Sequence, residues 1–462
     1  MDTLQPTRWA RAALCVAVGV HILFLISLPT GFLDFLFVEA VRGHGQASDF
    51  FGIYQAGANL LDGYSIYDSP AYLHEAPQVV PFYYFYRYLP PTAYAAALCA
   101  WLLAPWAAYW VWVLLNEIFI ALVVISLLRW TRWPANRRWL TAALWLGFFP
   151  VYIEQIMGQF SLTMALLLWI LWRYDREPAT DAAQCDPHRH RGLSWVRSWK
   201  AYRWERDRIA PVGVLIAWAA SITLKSFSVF LALPYLRDRL LKRNIAAAGI
   251  TAALCVPYFA YHLSDLSEFI RLNLVHLTPK LYMGAFGFQT ALKDLLTHLP
   301  TTWTCPSFSI AGYHLTVEKT ILRGTILLVL ALAAWATMRF HRTPQRRALD
   351  LALWTTAFFL IFKCVWEYHY IMMLPAITAL YLVSGSRMIL ACGIWLGLPT
   401  LFAAAPVLTG VSSLAEVESW PAWFRILHFN VKTLPTLGIF GWCLHAAWNP
   451  QSHLSQRTRT GP

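Results

Sequence analysis

The chain has 462 residues, 58% of them hydrophobic, including 24 Trp, 21 Tyr and 27 Phe, and carries a formal net charge of +13. So much apolar surface excludes a soluble fold of this size and points to a helical membrane protein. The basic excess would suit nucleic acid in a soluble protein, but here the Lys and Arg residues sit between apolar runs and no nucleic-acid recognition module is present.

Arg8 and Arg11 flank the start of the first apolar run, 9–29; no small-residue cleavage site follows, so the run reads as a retained signal anchor. Further runs fall near 107–128, 139–153, 160–173, 209–223, 226–236, 245–263, 319–338, 349–364, 370–384, 388–408 and 429–447. With the N-terminus inside, Arg129, Arg132, Arg137 and Arg138 lie inside, as do the cluster from Arg173 to Arg208, then Arg237, Arg239, Lys242 and Arg243, and later Arg339, Arg342, Arg346 and Arg347. The outer side receives the loops near 30–106, 154–159, 264–318, 365–369 and 409–428. That segregation predicts an all-α polytopic bundle of about 12 transmembrane helices with both termini inside, one membrane domain over 1–462. Residues 175–208 form a basic cytoplasmic loop and 448–462 a cytoplasmic tail. Cys185, His188 and His190 in that loop match no zinc spacing, and the eight scattered cysteines imply no disulfide framework.

Two stretches depart from simple spans. Residues 88–104 open on Leu89-Pro90-Pro91-Thr92; a full crossing would move every later loop to the other side, so this is a partial or re-entrant element. The run 209–236 carries Lys225-Ser226 at its middle and reads as two short helices with Lys225 at an outer turn.

The outer segments hold the groups able to do chemistry. Asp49 lies in an acidic, aromatic first loop, next to Phe50 and Phe51, where a carboxylate can take a proton from a hydroxyl at the bilayer surface; it could equally be a helix N-cap. Asp34, Asp62 and Asp68 are its competitors, the last two beside turn signals. Gly63 and Tyr67 bend and anchor the loop, and the cluster from Phe82 to Tyr88, with Arg87 inside it, could line a groove for a lipid chain and a sugar face or form an interfacial belt. Glu154 to Gln159 reads as a short polar turn in which Gly158 permits close backbone approach and Gln159 offers an amide to sugar hydroxyls. Lys225, Lys363 and His369 are candidates for holding an anionic group such as a lipid phosphate; a Lys363–Glu367 ion pair at helical spacing is the alternative for Lys363.

The order of these features, Asp49 to Tyr54, Gly63 to Asp68, Tyr88-Leu89-Pro90-Pro91, Gly158-Gln159, Lys225 and Tyr368-His369-Tyr370, resembles the polyprenyl-phosphate-sugar-dependent glycosyltransferases of family 87, within the GT-C fold class. Phe160 stands where an Asn often follows Gly-Gln, Ser226 where a Pro often follows the mid-chain Lys, and the basic segment 175–208 is an unusual insertion. The resemblance implies inverting transfer of a sugar, mannose by default, from a polyprenyl monophosphate to an acceptor hydroxyl at the outer face of the cytoplasmic membrane. It implies Asp49 as general base, Lys225, His369 and Lys363 at the donor phosphate, and Tyr54, Gln159, Tyr67, Arg87 and Tyr368 at the substrates. The partners would be the lipid-linked donor, a glycolipid or glycan acceptor and membrane lipids, with no nucleic acid. The first outer loop has no Asp-x-Asp pair, so no metal and no other cofactor are expected. A lipid-linked glycan transporter or flippase, which would use broken helices around a midplane site, and another outer-face glycan ligase are the alternative functions.

Overall fold

A computed structural model describes residues 5–36, 45–67, 76–84, 86–131, 133–174, 212–224, 229, 231, 241–275, 281, 284–298, 307–310, 313–340, 345–363, 365–410 and 417–449. Lys225, Asp68, the basic segment 175–208 and the tail beyond 449 lie outside the described residues.

Most helices follow the apolar runs, whereas Ser48–Leu61, Pro90–Leu102, Leu263–Ile270 and Phe288–Thr297 fall in stretches that read as outer loops in the sequence. The helices are α1 (Arg8–Thr30), α2 (Ser48–Leu61), α3 (Pro90–Leu102), α4 (Pro105–Arg129), α5 (Ala135–Leu146), α6 (Phe149–Met157) and α7 (Ser161–Tyr174). After α8 (Val212–Leu224) come α9 (Leu241–Tyr261), α10 (Leu263–Ile270), α11 (Phe288–Thr297), α12 (Val317–Phe340) and α13 (Arg346–Ile361). The tight turn Glu367–Met373 leads into α14 (Leu374–Ser384), followed by α15 (Arg387–Gly397) and the closing α16 (Ala422–Trp448). Their ends are set by local chemistry. Thr7 caps α1 by accepting the Ala10 N–H at 3.3 Å, and Pro90 and Pro105 sit at the starts of α3 and α4, where a missing N–H costs nothing.

Among the described residues, five helical stretches are long and apolar enough to cross a membrane: α1, α4, α5 with α6, Lys242–Tyr261 and α12. A sixth results if α15 and Leu401–Thr409, bent by 59° at their junction, form one broken span. The lipid-facing logic is plain on α4, where Trp110, Leu114, Ile118, Leu122 and Ile125 form an exposed apolar stripe. Tyr109, Val113, Asn116, Ile120 and Val123 face inward on the opposite side. Such a stripe has no place against water, and it leaves the polar Asn116 for the bundle interior.

The core is built on α13 and α14, buried along almost their whole length, and on α5, α7 and α16 around them. Polar groups there bond across helices: the Trp145 indole donates to Thr378 Oγ1 at 2.9 Å and the Trp354 indole to Thr337 Oγ1 at 2.8 Å. In hydrocarbon an unmade bond of that kind has no water to fall back on.

One detail differs from an all-α expectation. Strands β1 (Ser307–Ile310) and β2 (Tyr313–Thr316) pair antiparallel, Ser307 opposite Thr316, just before α12. The stretch 88–104 is the helix α3, whose 13 residues reach roughly 20 Å, short of a hydrocarbon core of about 30 Å. It packs along α2, and the two approach so closely that a Cβ on Gly57 would meet the Ala96 backbone at 2.4 Å.

Candidate active site

Asp49 does not sit in a loop. It is in the first turn of α2, and the residue before the helix is Ala47, so Asp49 is not the N-cap either. Ala47 takes a left-handed conformation (φ 67°), the one residue other than glycine to do so among those described. That conformation costs about 1–2 kcal/mol for a side chain with a Cβ, and contacts to α6 hold it. The Ala47 N–H donates to the Ile156 carbonyl at 2.6 Å, the Ser48 hydroxyl reaches Met157 Sδ at 3.6 Å, and the Tyr84 N–H donates to the Ser48 carbonyl at 3.2 Å. The first turn of α2 is thus fastened to the end of α6, at the positive end of a helix dipole that favours a carboxylate.

Glu154 and Gln155 likewise belong to a helix, not a turn: α6 runs through them to Met157 and stops at Gly158, which is left-handed (φ 71°). Glu and Gln are good helix formers, so the bend waits for the glycine. A Cβ on Gly158 would lie 2.3 Å from Phe50 Cβ. Close approach at that glycine brings Phe50, the neighbour of Asp49 in sequence, against the bend that leads into Gln159. Glu154 is fully buried, and its Oε1 accepts the Leu162 N–H at 2.9 Å, completing the first turn of α7.

Tyr88 joins these elements. Its hydroxyl donates to Gln159 Oε1 at 2.5 Å, and its ring packs edge-on against Phe160 at 5.4 Å. Burial first, and then the negative charges of Asp49 and Glu154, push the Tyr88 phenol well above its usual value, so it stays a donor. With Gln159 Oε1 occupied, the amide offers its NH₂ group to other partners. Trp112 packs on both Phe160 and Phe50, closing the aromatic floor.

The turn Glu367–Met373 meets the same region. Tyr368 belongs to the apolar cluster of Phe50, Tyr54, Ile156 and Met157, and the ring of His369 stands edge-on to it at 4.5 Å. His369 Nδ1 accepts the Trp366 N–H at 3.1 Å, which leaves Nε2 as the protonated nitrogen of the neutral ring. Phe362 contacts the His369 ring at 6.2 Å, and the half-buried Lys363 follows Phe362 in sequence. The turn is held from outside by the Phe286 N–H, which donates to the Val365 carbonyl at 2.5 Å, and by the Ala285–Trp366 bridge. Glu367 pairs with Lys432 at 3.4 Å, rather than with Lys363 as helical spacing suggests, because the Glu367 side chain turns toward α16.

The other sequence candidates have defined places. The Tyr54 hydroxyl donates to the Leu103 carbonyl at 2.7 Å, tying α2 to the end of α3. The Tyr67 hydroxyl donates to the Tyr88 carbonyl at 2.8 Å, and its ring stacks on Phe259. Ser65, beside it, donates to Asp265 Oδ2 at 2.7 Å, and Tyr258 donates to the same carboxylate. Arg87 and Asp62 are exposed. Asp34 accepts from the Tyr152 hydroxyl at 3.1 Å.

Three buried polar groupings escaped the sequence reading. His21 Nε2 lies 2.8 Å from Glu117 Oε2 midway along α1 and α4, and Gln155 Nε2 donates to the other oxygen of that carboxylate. Asp294 on α11 forms an ion pair with Arg425, Oδ1 to Nε 3.0 Å, and the same guanidinium bonds His298 at 2.9 Å. The third is the Glu367–Lys432 pair. A lone ionisable residue inside an apolar run was the available signal for Glu117 and Lys432. Among the described residues, no three His, Cys, Asp or Glu side chains gather as metal ligands.

Long lipid-facing helices around a buried polar site define a helical membrane protein. A model of glycosyltransferase family 87 matches residues 86–363, more than half of the chain, and the chain belongs to that family. It is therefore a membrane glycosyltransferase. The match includes Arg87, Gln159, Lys225 and Lys363, whereas Asp49, Tyr54 and the turn bearing Tyr368 and His369 lie outside it. No curated protein matches the sequence.

Proposed function

We propose that the enzyme moves a sugar, mannose in the first instance, from a polyprenyl monophosphate to an acceptor hydroxyl at the outer face of the cytoplasmic membrane. Asp49 takes the proton of that hydroxyl as its oxygen attacks the anomeric carbon from the side opposite the phosphate. The carbon–oxygen bond to the phosphate breaks as the new bond forms, which inverts the centre and releases the polyprenyl phosphate. A positioned base contributes about 100- to 10,000-fold to such a step. Charge growing on the leaving phosphate is met by His369, Lys363 and Lys225, in line with the general advantage of fixed donors over water. Gln159, Arg87 and Tyr368 contact the sugars. Tyr54 and Tyr67, with hydroxyls committed to main-chain carbonyls, hold the walls of the site.

The observation that carries this reading is the meeting of the first turn of α2, the Gly158-Gln159 bend and the Tyr368–His369 turn in one aromatic-lined region. A panel of radiolabelled polyprenyl-phosphate sugars, incubated with membranes containing the enzyme, tests it through release of the lipid phosphate. Absence of release from every member contradicts it. The bent α15 with Leu401–Thr409 is the feature a lipid transporter would share. Movement of intact labelled donor between leaflets without its consumption favours that second reading.

A further inference from the structure

Inside α16, Lys432 has no exposed side-chain surface, and Glu367, opposite it, has 8%. Lys432 Nζ donates to the Leu396 carbonyl at 2.7 Å and also to the Leu398 carbonyl, at the end of α15. Thr400 closes on Glu367 Oε2 at 3.5 Å. A charge pair taken out of water this completely gains little over apolar residues of the same volume, and such replacements are often neutral or stabilising. Stability alone is a poor reason for its presence. What the pair does is join α16, the end of α15 and the first residue of the turn that carries His369.

The turn has about 3.0 residues per revolution, so positions two apart diverge by roughly 120°. With Glu367 anchored toward α16, His369 is directed to another side, where it meets Tyr368 and Phe362. The imidazole is then fixed a second time by the Trp366 N–H on Nδ1. We propose that the Glu367–Lys432 pair is a positioning device that sets the depth and rotation of the His369 ring for the donor phosphate. This rests on the reading of His369 as a phosphate-binding group, and the experiment separates the two.

The double variant Glu367→Gln/Lys432→Met removes both charges and so avoids stranding either one in the core. Three quantities are read in the full-length enzyme: the thermal midpoint, the donor KM and kcat, and the rate at which diethyl pyrocarbonate modifies His369. The exposed His445 serves as an internal reference. The expected result is a midpoint near that of the parent, a His369 modification rate changed by about threefold or more, and a donor KM raised about tenfold with kcat within about twofold. A double variant with the parent's modification rate and KM overturns the proposal and leaves the pair as compensated burial. Lys432→Arg, which keeps the charge but alters its reach, is expected to show a smaller shift in the same two readouts. A changed modification rate with unaltered KM, together with a His369→Gln variant that also keeps its KM, upholds the positioning and overturns the phosphate role instead.

Discussion

Gly158→Ala puts the packing of the site to a quantitative test. Two costs arise at this position. Alanine in the left-handed conformation that Gly158 adopts (φ 71°) loses about 1–2 kcal/mol. The new Cβ would also stand 2.3 Å from Phe50 Cβ, and relieving such an overlap in a packed interior costs about 1–3 kcal/mol. Together they amount to about 2–5 kcal/mol, a large share of the roughly 5–15 kcal/mol typical of folded proteins. Gly410→Ala is the control, since Gly410 is equally left-handed (φ 68°) with nothing among the described residues within 4 Å of its would-be Cβ. It should lose the conformational part alone. Thermal midpoints in one detergent at one scan rate compare the two, and transfer activity is measured alongside. Because Phe50 follows Asp49 directly, Gly158→Ala should also lower activity more than its loss of folded protein explains. If the two variants melt together and transfer sugar equally, the close approach of α2 to the Gly158 bend is not what organises the site.

Tyr88→Phe removes only the hydroxyl on Gln159; it should cost about 0.5–1.5 kcal/mol, raise the KM for sugar substrates and spare kcat, as steady-state kinetics will report. Glu117→Leu leaves His21 Nε2 and the Gln155 amide without their carboxylate partner and should destabilise by about 1–3 kcal/mol for each group left unmet, while Glu117→Gln keeps most of the midpoint. Arg425→Gln leaves Asp294, 1% exposed, without its guanidinium, a loss of about 3–5 kcal/mol when the acid is ionised. Burial already holds the Asp294 carboxyl above its ordinary 3.8, with Arg425 and His298 pulling it back. A carboxyl raised in the folded state gives stability at pH below its unfolded value and loses it as pH rises through its folded value. The melting deficit of Arg425→Gln should therefore widen from about pH 4 to neutrality; a deficit independent of pH contradicts this.

The helices were legible because lipid-facing and core-facing residues are alike apolar, so runs such as 9–29 and 107–128 announce themselves whatever their rotation. What could not be read is rotation and pairing. Glu117, Lys432 and Arg425 stand out as charges in or beside apolar runs, but their partners lie on helices remote in sequence. Local spacing favoured Lys363 for Glu367, and the fold chose Lys432. Asp49, Gly158-Gln159 and His369 stood out in the sequence as candidates, whereas the place of Tyr88 beside Gln159 depends on a hydrogen bond 71 residues distant. Ala47 gave no warning at all. Alanine disfavors the left-handed region, and only the grip of α6 on the main chain explains why it is there.

The turnover of Asp49→Asn tests the central claim most directly. Purified enzyme and variant, at equal membrane abundance, are supplied with a labelled polyprenyl-phosphate sugar that the parent consumes, and release of the lipid phosphate is timed. Asparagine keeps the shape of the side chain but cannot accept the proton, so the rate should fall about 100- to 10,000-fold with the thermal midpoint nearly unchanged. Asp62→Asn, at the exposed turn beyond α2, should retain parental turnover. Near-normal turnover by Asp49→Asn would contradict the account, for the carboxylate at the start of α2 would then not be the base.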